Sequence, residues 1–156
     1  MKLIIGLGNP GEEYKNTRHS AGYMVVDQLK KISKSANMKI LKSDTFMNDS
    51  GKFVKQKLSD LSLQSSDLYV VHDDLDIPLG KFKIQFGRGP KDHNGLKSVD
   101  EELGTQDYWH VRVGVDNRPQ DNRPLGEVYT LENFTEEEKV ILDKTIKEVS
   151  KKIIDL

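Results

Sequence analysis

The fold is indicated above all by one stretch, Leu68-Tyr69-Val70-Val71-His72-Asp73-Asp74-Leu75-Asp76. Its first four residues are apolar on both faces, as in a parallel sheet that helices cover on both sides. In such sheets the residues that do chemistry lie beyond the carboxyl ends of the strands. A histidine and three aspartates directly after this strand therefore mark one edge of the sheet as a candidate site.

Patterns on both sides of this stretch alternate between strand and helix. Further strands are predicted at 2–7, 38–41, 81–86 and 109–115, and helices at 17–32, 50–61, 96–103 and from 135 onward. Because the strands at 81–86 and 109–115 alternate polar and apolar residues, we expect a mixed sheet rather than an all-parallel one. The sequence thus predicts an α/β fold: a single-domain sandwich over residues 1–156, with a mixed, mostly parallel twisted sheet flanked by helices.

Several boundaries follow from local signals. Asn16 or Thr17 is a candidate N-cap of the first helix and Ser50 of the second, while 135–138 looks like a capping box for the last helix. The segment 76–78 predicts a turn. Residues 116–126, rich in Pro, Asn and Arg, predict an exposed loop.

Composition narrows the classes of function. The 156 residues carry a net charge of -1, so binding to nucleic acid would have to use a local basic patch. There is no cysteine, which excludes disulfides, thiolate catalysis and cysteine zinc sites. The apolar run at the N-terminus is too short for a signal peptide or a membrane span. We therefore expect a cytoplasmic protein with no membrane partner.

A glycine motif after the first strand invites a nucleotide-binding interpretation. Gly6, Gly8 and Gly11 match the dinucleotide fingerprint G-x-G-x-x-G. However, Pro10 lies inside the loop, the next five residues look non-helical, and the two glutamates that follow Gly11 would repel a pyrophosphate. No strand ending in an acidic residue follows about 20 residues later, as this fingerprint requires. We expect these glycines to allow a sharp backbone turn instead.

The histidines and aspartates offer several kinds of chemistry. His19 falls in the first turn of a predicted helix, where the helix N-terminus would keep the imidazole neutral and able to act as a base. Asp73 or Asp74 could orient it, whereas Asp76 fits turn chemistry. A capping or surface role for His19 stays open. A metal site at 72–76 is disfavoured, because only one imidazole lies in the run and no second ligand cluster matches it.

Taken together, the segments resemble the bacterial peptidyl-tRNA hydrolase family. The matches, in the family's order, are Gly6 to Gly11 with Tyr14, Thr17-Arg18-His19, Thr45-Phe46-Met47-Asn48, Ser50-Gly51, His72 to Asp76, and His93-Asn94-Gly95-Leu96-Lys97. That family cleaves the ester between a peptide and the terminal ribose of tRNA. The resemblance implies an ester hydrolase without metal or cofactor, monomeric, acting at the acceptor end of peptidyl-tRNA.

The resemblance also implies a role for each of nine residues. His19 would be the general base, Asp73 would hold it in its working form, and Asn9 would recognise the acylated end of the peptide. The implied substrate contacts are Asn48 and Asn94, Tyr14 and Phe46 flanking the tRNA terminus, and Lys83 and Arg112 gripping a tRNA phosphate.

The chain departs from the family pattern in four places. It is shorter between His19 and Asn48 by about a strand pair, so the sheet could lose strands there, and it stops early at the C-terminus. Ser20 stands where we expect Asn, and residues 90–92 add proline and charge to a glycine-rich stretch. The alternatives still open are a non-catalytic RNA-binding relative, a metal-dependent hydrolase and a nucleotide-binding protein.

Overall fold

The computed structural model describes residues 1–156. The strands are β1 (Lys2–Gly6), β2 (Met38–Lys42), β3 (Leu68–Pro78), β4 (Phe82–Phe86) and β5 (Trp109–Asp116). The helices are α1 (Ala21–Ile32), α2 (Ser50–Asp60), α3 (Asn94–Leu103), α4 (Gly126–Tyr129) and α5 (Glu136–Ile154). None of the helices is both long and apolar enough to cross a membrane.

All five strands form one sheet in the order β2-β1-β3-β5-β4. The first four strands in this order run parallel, and β4 pairs antiparallel with β5 at the edge. The predicted mixed, mostly parallel α/β sheet is therefore confirmed. The region between His19 and Asn48, which we expected to be shortened, provides α1 and the edge strand β2.

Helices cover both faces of the sheet and enclose two cores. On one face α1 and α5 pack against the sheet through Val25, Leu29, Leu142, Ile146, Val149 and Ile153. On the other face α2 and α3 do so through Val54, Leu58, Leu96 and Val99. The first core brings the start of α1 against β3: a Cβ atom at Gly22 would collide with the carbonyl oxygen of Val71. This close approach places the residues before α1 beside the carboxyl end of β3.

The predicted turn at 76–78 is wrong. The strand that we expected to end at Val71 continues to Pro78, with a shift of its register against β5 after Asp74. Two observations explain this. The Asp74 carboxylate accepts a hydrogen bond from the Asp76 N–H at 2.8 Å, and the Ile77 side chain is buried. The local polar residues thus support a bulged strand rather than a turn.

The starts of the helices differ from their predicted caps. The N-caps predicted for the first two helices, Asn16 or Thr17 and Ser50, make no capping hydrogen bond with their side chains. Short 3₁₀ turns at Arg18–Ser20 and Met47–Asp49 precede α1 and α2 instead. A further 3₁₀ turn, Glu12–Tyr14, occupies the segment after Gly11 that we expected to be non-helical, and Gly11 has a φ of 113° that favours glycine. The capping box that opens α5 is confirmed, whereas α4 was not predicted.

Candidate active site

Two adjoining cavities open at the carboxyl ends of the parallel strands. They measure about 620 and 340 Å³ and share four lining residues: His19, Asn94, Glu127 and Thr130. His19 lies in the 3₁₀ turn before α1, and Asn94 is the first residue of α3. Glu127 belongs to α4, and Thr130 follows that helix directly. The cavities therefore lie at the edge of the sheet that the sequence indicated.

Asp73 lies at the floor of this site between two histidines. The Nδ1 atom of His19 is 3.0 and 2.9 Å from the two carboxylate oxygens of Asp73. The Nε2 atom of His93 lies 2.9 Å from the first of these oxygens. Asp73 and His93 are buried, whereas 13% of the His19 side chain is exposed. All three residues line the larger cavity, and of the three only His19 also lines the smaller one.

A backbone amide determines which nitrogen of His93 carries a proton. The N–H of Leu96 donates to Nδ1 of His93, which caps the start of α3. A neutral His93 must then carry its proton on Nε2 and donate it to Asp73. His19 donates to the same carboxylate through Nδ1, so a neutral His19 keeps an unshared electron pair on Nε2. That electron pair is what a general base needs.

The charges in the site favour an ionised Asp73. Burial alone would raise the pKa of Asp73, but the charge of His19 and the hydrogen bonds of His19 and His93 hold it well below its usual range. Burial likewise disfavours a charged His19, yet the Asp73 carboxylate raises the pKa of His19 above its ordinary value. The prediction that the helix N-terminus would lower the pKa of His19 is therefore wrong: the pKa is raised. The reason is that a carboxylate lies 2.9 Å away, and the turn precedes α1 rather than opening it.

The same three residues raise the question of a metal ion. One donor atom each from His19, Asp73 and His93 lies within 4.8 Å of the others, a cluster that the sequence did not reveal. The tautomer of His93 argues against coordination, because its Nε2 carries a proton and has no free electron pair for a metal. A metal on Nε2 would require the hydrogen bond from Leu96 to break.

The other polar residues of the 72–76 stretch lie outside this triad. His72 is fully buried, and its Nδ1 lies 2.9 Å from the Asp73 carbonyl oxygen. Burial lowers the pKa of His72 well below its usual range. Asp74 accepts a hydrogen bond from Arg112, and the exposed Asp76 accepts one from the Lys91 N–H. Asp73 is thus the carboxylate that meets His19.

Three asparagines lie around the smaller cavity, as the resemblance implied. The Oδ1 atom of Asn9 accepts the Met47 N–H at 2.8 Å, which fixes the side chain and leaves its NH₂ group to donate. Asn48 and Asn94 are exposed at the same cavity. Phe46, which is 56% exposed, lines it too and makes an edge-to-face contact with Tyr14 at 6.2 Å.

Lys83 and Arg112, which the resemblance assigned to a tRNA phosphate, lie side by side but differ in exposure and in hydrogen bonding. Lys83 pairs with Arg112 across β4 and β5, and Lys83 is exposed. Arg112 is buried and already donates to Asp74 at 2.7 Å and to Gln85 at 2.7 Å. Neither residue lines either of the two cavities.

Sequence reasoning missed several residues of this site. It named His93 only as part of a loop, although the imidazole shares Asp73 with His19. Glu127 and Thr130 line both cavities, and nothing in their local pattern distinguishes them from ordinary loop residues. His93 caps α3 in the structure, but the sequence does not signal this, because Ser, Thr, Asp, Asn and Gly are the residues preferred at an N-cap.

Comparison with known proteins agrees with this arrangement. A family model described as peptidyl-tRNA hydrolase matches residues 3–156. The chain belongs to the peptidyl-tRNA hydrolase family. The peptidyl-tRNA hydrolase of Citrifermentans bemidjiense is 44% identical, over 88% of this chain and 81% of the relative. That of Sulfurihydrogenibium sp. is 36% identical, over 100% and 90%.

Solved structures of the peptidyl-tRNA hydrolase family share the fold. The crystal structure of peptidyl-tRNA hydrolase from Acinetobacter baumannii superposes with a TM-score of 0.82 at 26% identity. The superposition covers 98% of this chain and 86% of that one. The chain belongs to a family of hydrolases, and a carboxylate holds a histidine at an open cavity. Both findings indicate hydrolysis.

Proposed function

We propose that this chain hydrolyses the ester that joins a peptide, or an N-acyl amino acid, to the terminal ribose of tRNA. The observation that carries the proposal is the contact of His19 with Asp73 at the junction of two open cavities. Family membership supplies the substrate class, because the relatives are named for peptidyl-tRNA. The products are free tRNA and the released peptide.

The chemistry needs one base and well-placed donors. His19 accepts a proton from water at Nε2 while Asp73 stabilises the imidazolium that forms. The resulting hydroxide adds to the ester carbonyl, and the carbonyl oxygen becomes negatively charged. The NH₂ group of Asn9, with Asn48 and Asn94, donates to that oxygen and to the neighbouring amide. Collapse breaks the bond to the ribose oxygen, which leaves with the proton from His19.

The tRNA end is bound by different groups. Phe46 presents an exposed ring at the rim of the smaller cavity, and Tyr14 supports it, so a terminal base can stack there. Lys83 is free to bind a phosphate, while Arg112 holds Asp74 and keeps part of its guanidinium for the same phosphate. We further propose that the protein works as a monomer in the cytoplasm.

The decisive experiment compares an N-acetyl-aminoacyl-tRNA with the unblocked aminoacyl-tRNA as substrates, in the presence and absence of EDTA. We expect rapid hydrolysis of the blocked substrate only, unaffected by the chelator. His19→Ala should lower turnover by about 100-fold or more, as removal of a general base does, and leave the fold intact. Binding of both RNAs without turnover would refute the proposal and identify a non-catalytic RNA-binding protein.

A further inference from the structure

The residue before the proposed base is a buried cation. Arg18 is 5% exposed, and its guanidinium donates to Glu138 at 2.7 Å and to the Tyr129 carbonyl at 3.0 Å. It also lies 3.7 Å above the centre of the Tyr129 ring. The guanidinium therefore contacts α4 and α5, whereas the neighbouring His19 ring contacts β3.

The backbone of the same turn is fixed to the segment that follows α4. The N–H of His19 donates to the Thr130 carbonyl at 2.8 Å, and the N–H of Arg18 donates to the Glu132 carbonyl at 3.1 Å. Because a 3₁₀ helix has three residues per turn, successive side chains leave it about 120° apart. Fixing the direction of the Arg18 side chain therefore fixes the direction in which the Cα–Cβ bond of His19 points, from which its ring reaches Asp73.

Stability alone does not account for a charged residue in this slot. The pair of Arg18 and Glu138 must lose its hydration, and the Nε atom of Arg18 is buried without a partner. Replacing such buried pairs with apolar residues of similar volume is often neutral or stabilising. What a guanidinium provides and an apolar side chain lacks is a planar set of donors with fixed directions.

We propose that Arg18 is a positioning residue, whose guanidinium, held by Glu138 and Tyr129, sets the direction of His19 and so maintains its contact with Asp73. The catalytic part of this inference rests on the proposed function. The positioning part concerns only the geometry of the His19 ring, and it can be measured without any reaction.

The kinetic test uses Arg18→Met, Arg18→Lys and Glu138→Gln in the full-length chain. A misdirected base lowers the rate of the chemical step, so kcat should fall by about 10- to 100-fold while KM changes by less than about twofold. Lysine retains the charge but not the planar fork, so it should restore little activity. The control is Tyr108→Phe, which removes a partly buried hydrogen bond to Asp100 at 2.7 Å, away from the site, and should lower Tm without lowering kcat.

The second readout is NMR titration of the His19 ring. His19 faces Asp73 and His93, with Glu127 on the same cavities, and none of these groups changes in the variants. Burial lowers the pKa of His19, but the contact with Asp73 raises it above its ordinary value in the wild type; in the Arg18 variants the pKa should fall, because that contact is lost while the burial remains. An inactive wild-type protein would refute the proposed function but leave this titration valid.

A folded Arg18→Met protein with the kcat and His19 titration of the wild type would overturn the inference, because Arg18 would then only fill space. If Arg18→Met does not fold, Arg18→Lys and Glu138→Gln decide the matter by the same two readouts. Equal losses of kcat in Tyr108→Phe and the Arg18 variants would also overturn it, since general destabilisation would then explain the effect.

Discussion

Replacing His110 should make the free energy of unfolding less dependent on pH, because this histidine is buried in the folded protein. His110 is 2% exposed, and neither ring nitrogen has a hydrogen-bond partner. Burial therefore lowers the pKa of His110 to about 4, against the effect of the nearby Gln106 carbonyl and with the charge of Arg112 in support. A side chain that does not titrate at this position should remove the contribution of His110 to the pH dependence of stability.

The sign and size follow from proton linkage. In the unfolded chain His110 titrates near 6.5, so below that pH the unfolded state binds more protons and stability falls as the pH decreases. With a folded-state pKa of about 4, the free energy of unfolding should fall by about 2 kcal/mol between pH 7 and pH 5 because of this residue. The loss is complete below the folded-state pKa.

Urea unfolding of the wild type, His110→Leu and His110→Gln at pH 7 and pH 5 measures this effect. The two variants differ in packing, but neither side chain titrates, so the difference between the two pH values cancels the packing change. Both variants should lose about 2 kcal/mol less stability than the wild type on going to pH 5. The raised pKa of His19 opposes this loss in all three proteins, and the lowered pKa of His72, which comes mainly from burial, adds to it. The same pH dependence in all three proteins would refute the reasoning.

Three further predictions concern the site. Asp73→Asn removes the carboxylate that raises the pKa of His19, so the acidic limb of the profile of kcat/KM against pH should move to lower pH and kcat should fall; a silent Asp73→Asn beside a damaging Asp74→Asn would mean that the wrong carboxylate was chosen. Asn9→Asp can still accept the Met47 N–H but presents a charge instead of an NH₂ donor, so hydrolysis of unblocked aminoacyl-tRNA should rise relative to the N-acetyl form; an unchanged ratio would contradict this role. Lys83→Ala should raise KM for full-length tRNA substrates, reduce the salt slope of binding by about one, and spare a minimal acylated nucleotide; equal losses on both substrates would exclude a phosphate contact.

The choice of Lys83 over Arg112 in the last experiment follows from the structure. Sequence and resemblance placed both on one phosphate, and the pairing of β4 with β5 does bring them side by side. However, Arg112 is buried against Asp74, so its removal would leave a buried carboxylate unpaired, a change that typically costs 3–5 kcal/mol. Loss of activity in an Arg112 variant would therefore not distinguish RNA binding from folding.

Much of the fold could be predicted because burial leaves a simple pattern in the sequence. The apolar residues at 68–71 indicated a strand buried on both faces, and the alternation at 81–86 indicated a strand with one face exposed to solvent. The turn predicted at 76–78 failed because aspartate and proline favour turns locally, whereas Ile77 is buried and the chain bulges instead. Tertiary burial decided against a local preference, and a single sequence does not show which of the two prevails.

The site was predictable where chemistry follows directly from position, and not where it depends on a partner far along the chain. Placing His19 near the aspartates after β3 required only the topology. The second contact of Asp73 is with His93, 20 residues further on, and the loop between them reads Gly-Arg-Gly-Pro-Lys-Asp without any signal of where it returns. The sequence indicated no role for Arg18, because nothing in it shows that this guanidinium is buried against Tyr129 and Glu138.

The ability of Asp73 to stabilise a charged His19 depends on a backbone group, the N–H of Leu96. Asp73 has one negative charge and two imidazole partners, so a charged His93 would compete with His19 for it. The Leu96 amide requires Nδ1 of His93 to accept a hydrogen bond, which an imidazolium cannot do. His93 therefore contributes a neutral hydrogen bond, and the charge of Asp73 remains available for the imidazolium of His19 that forms during hydrolysis. The first turn of α3 thus influences the base through the protonation of His93, without α3 having to touch His19.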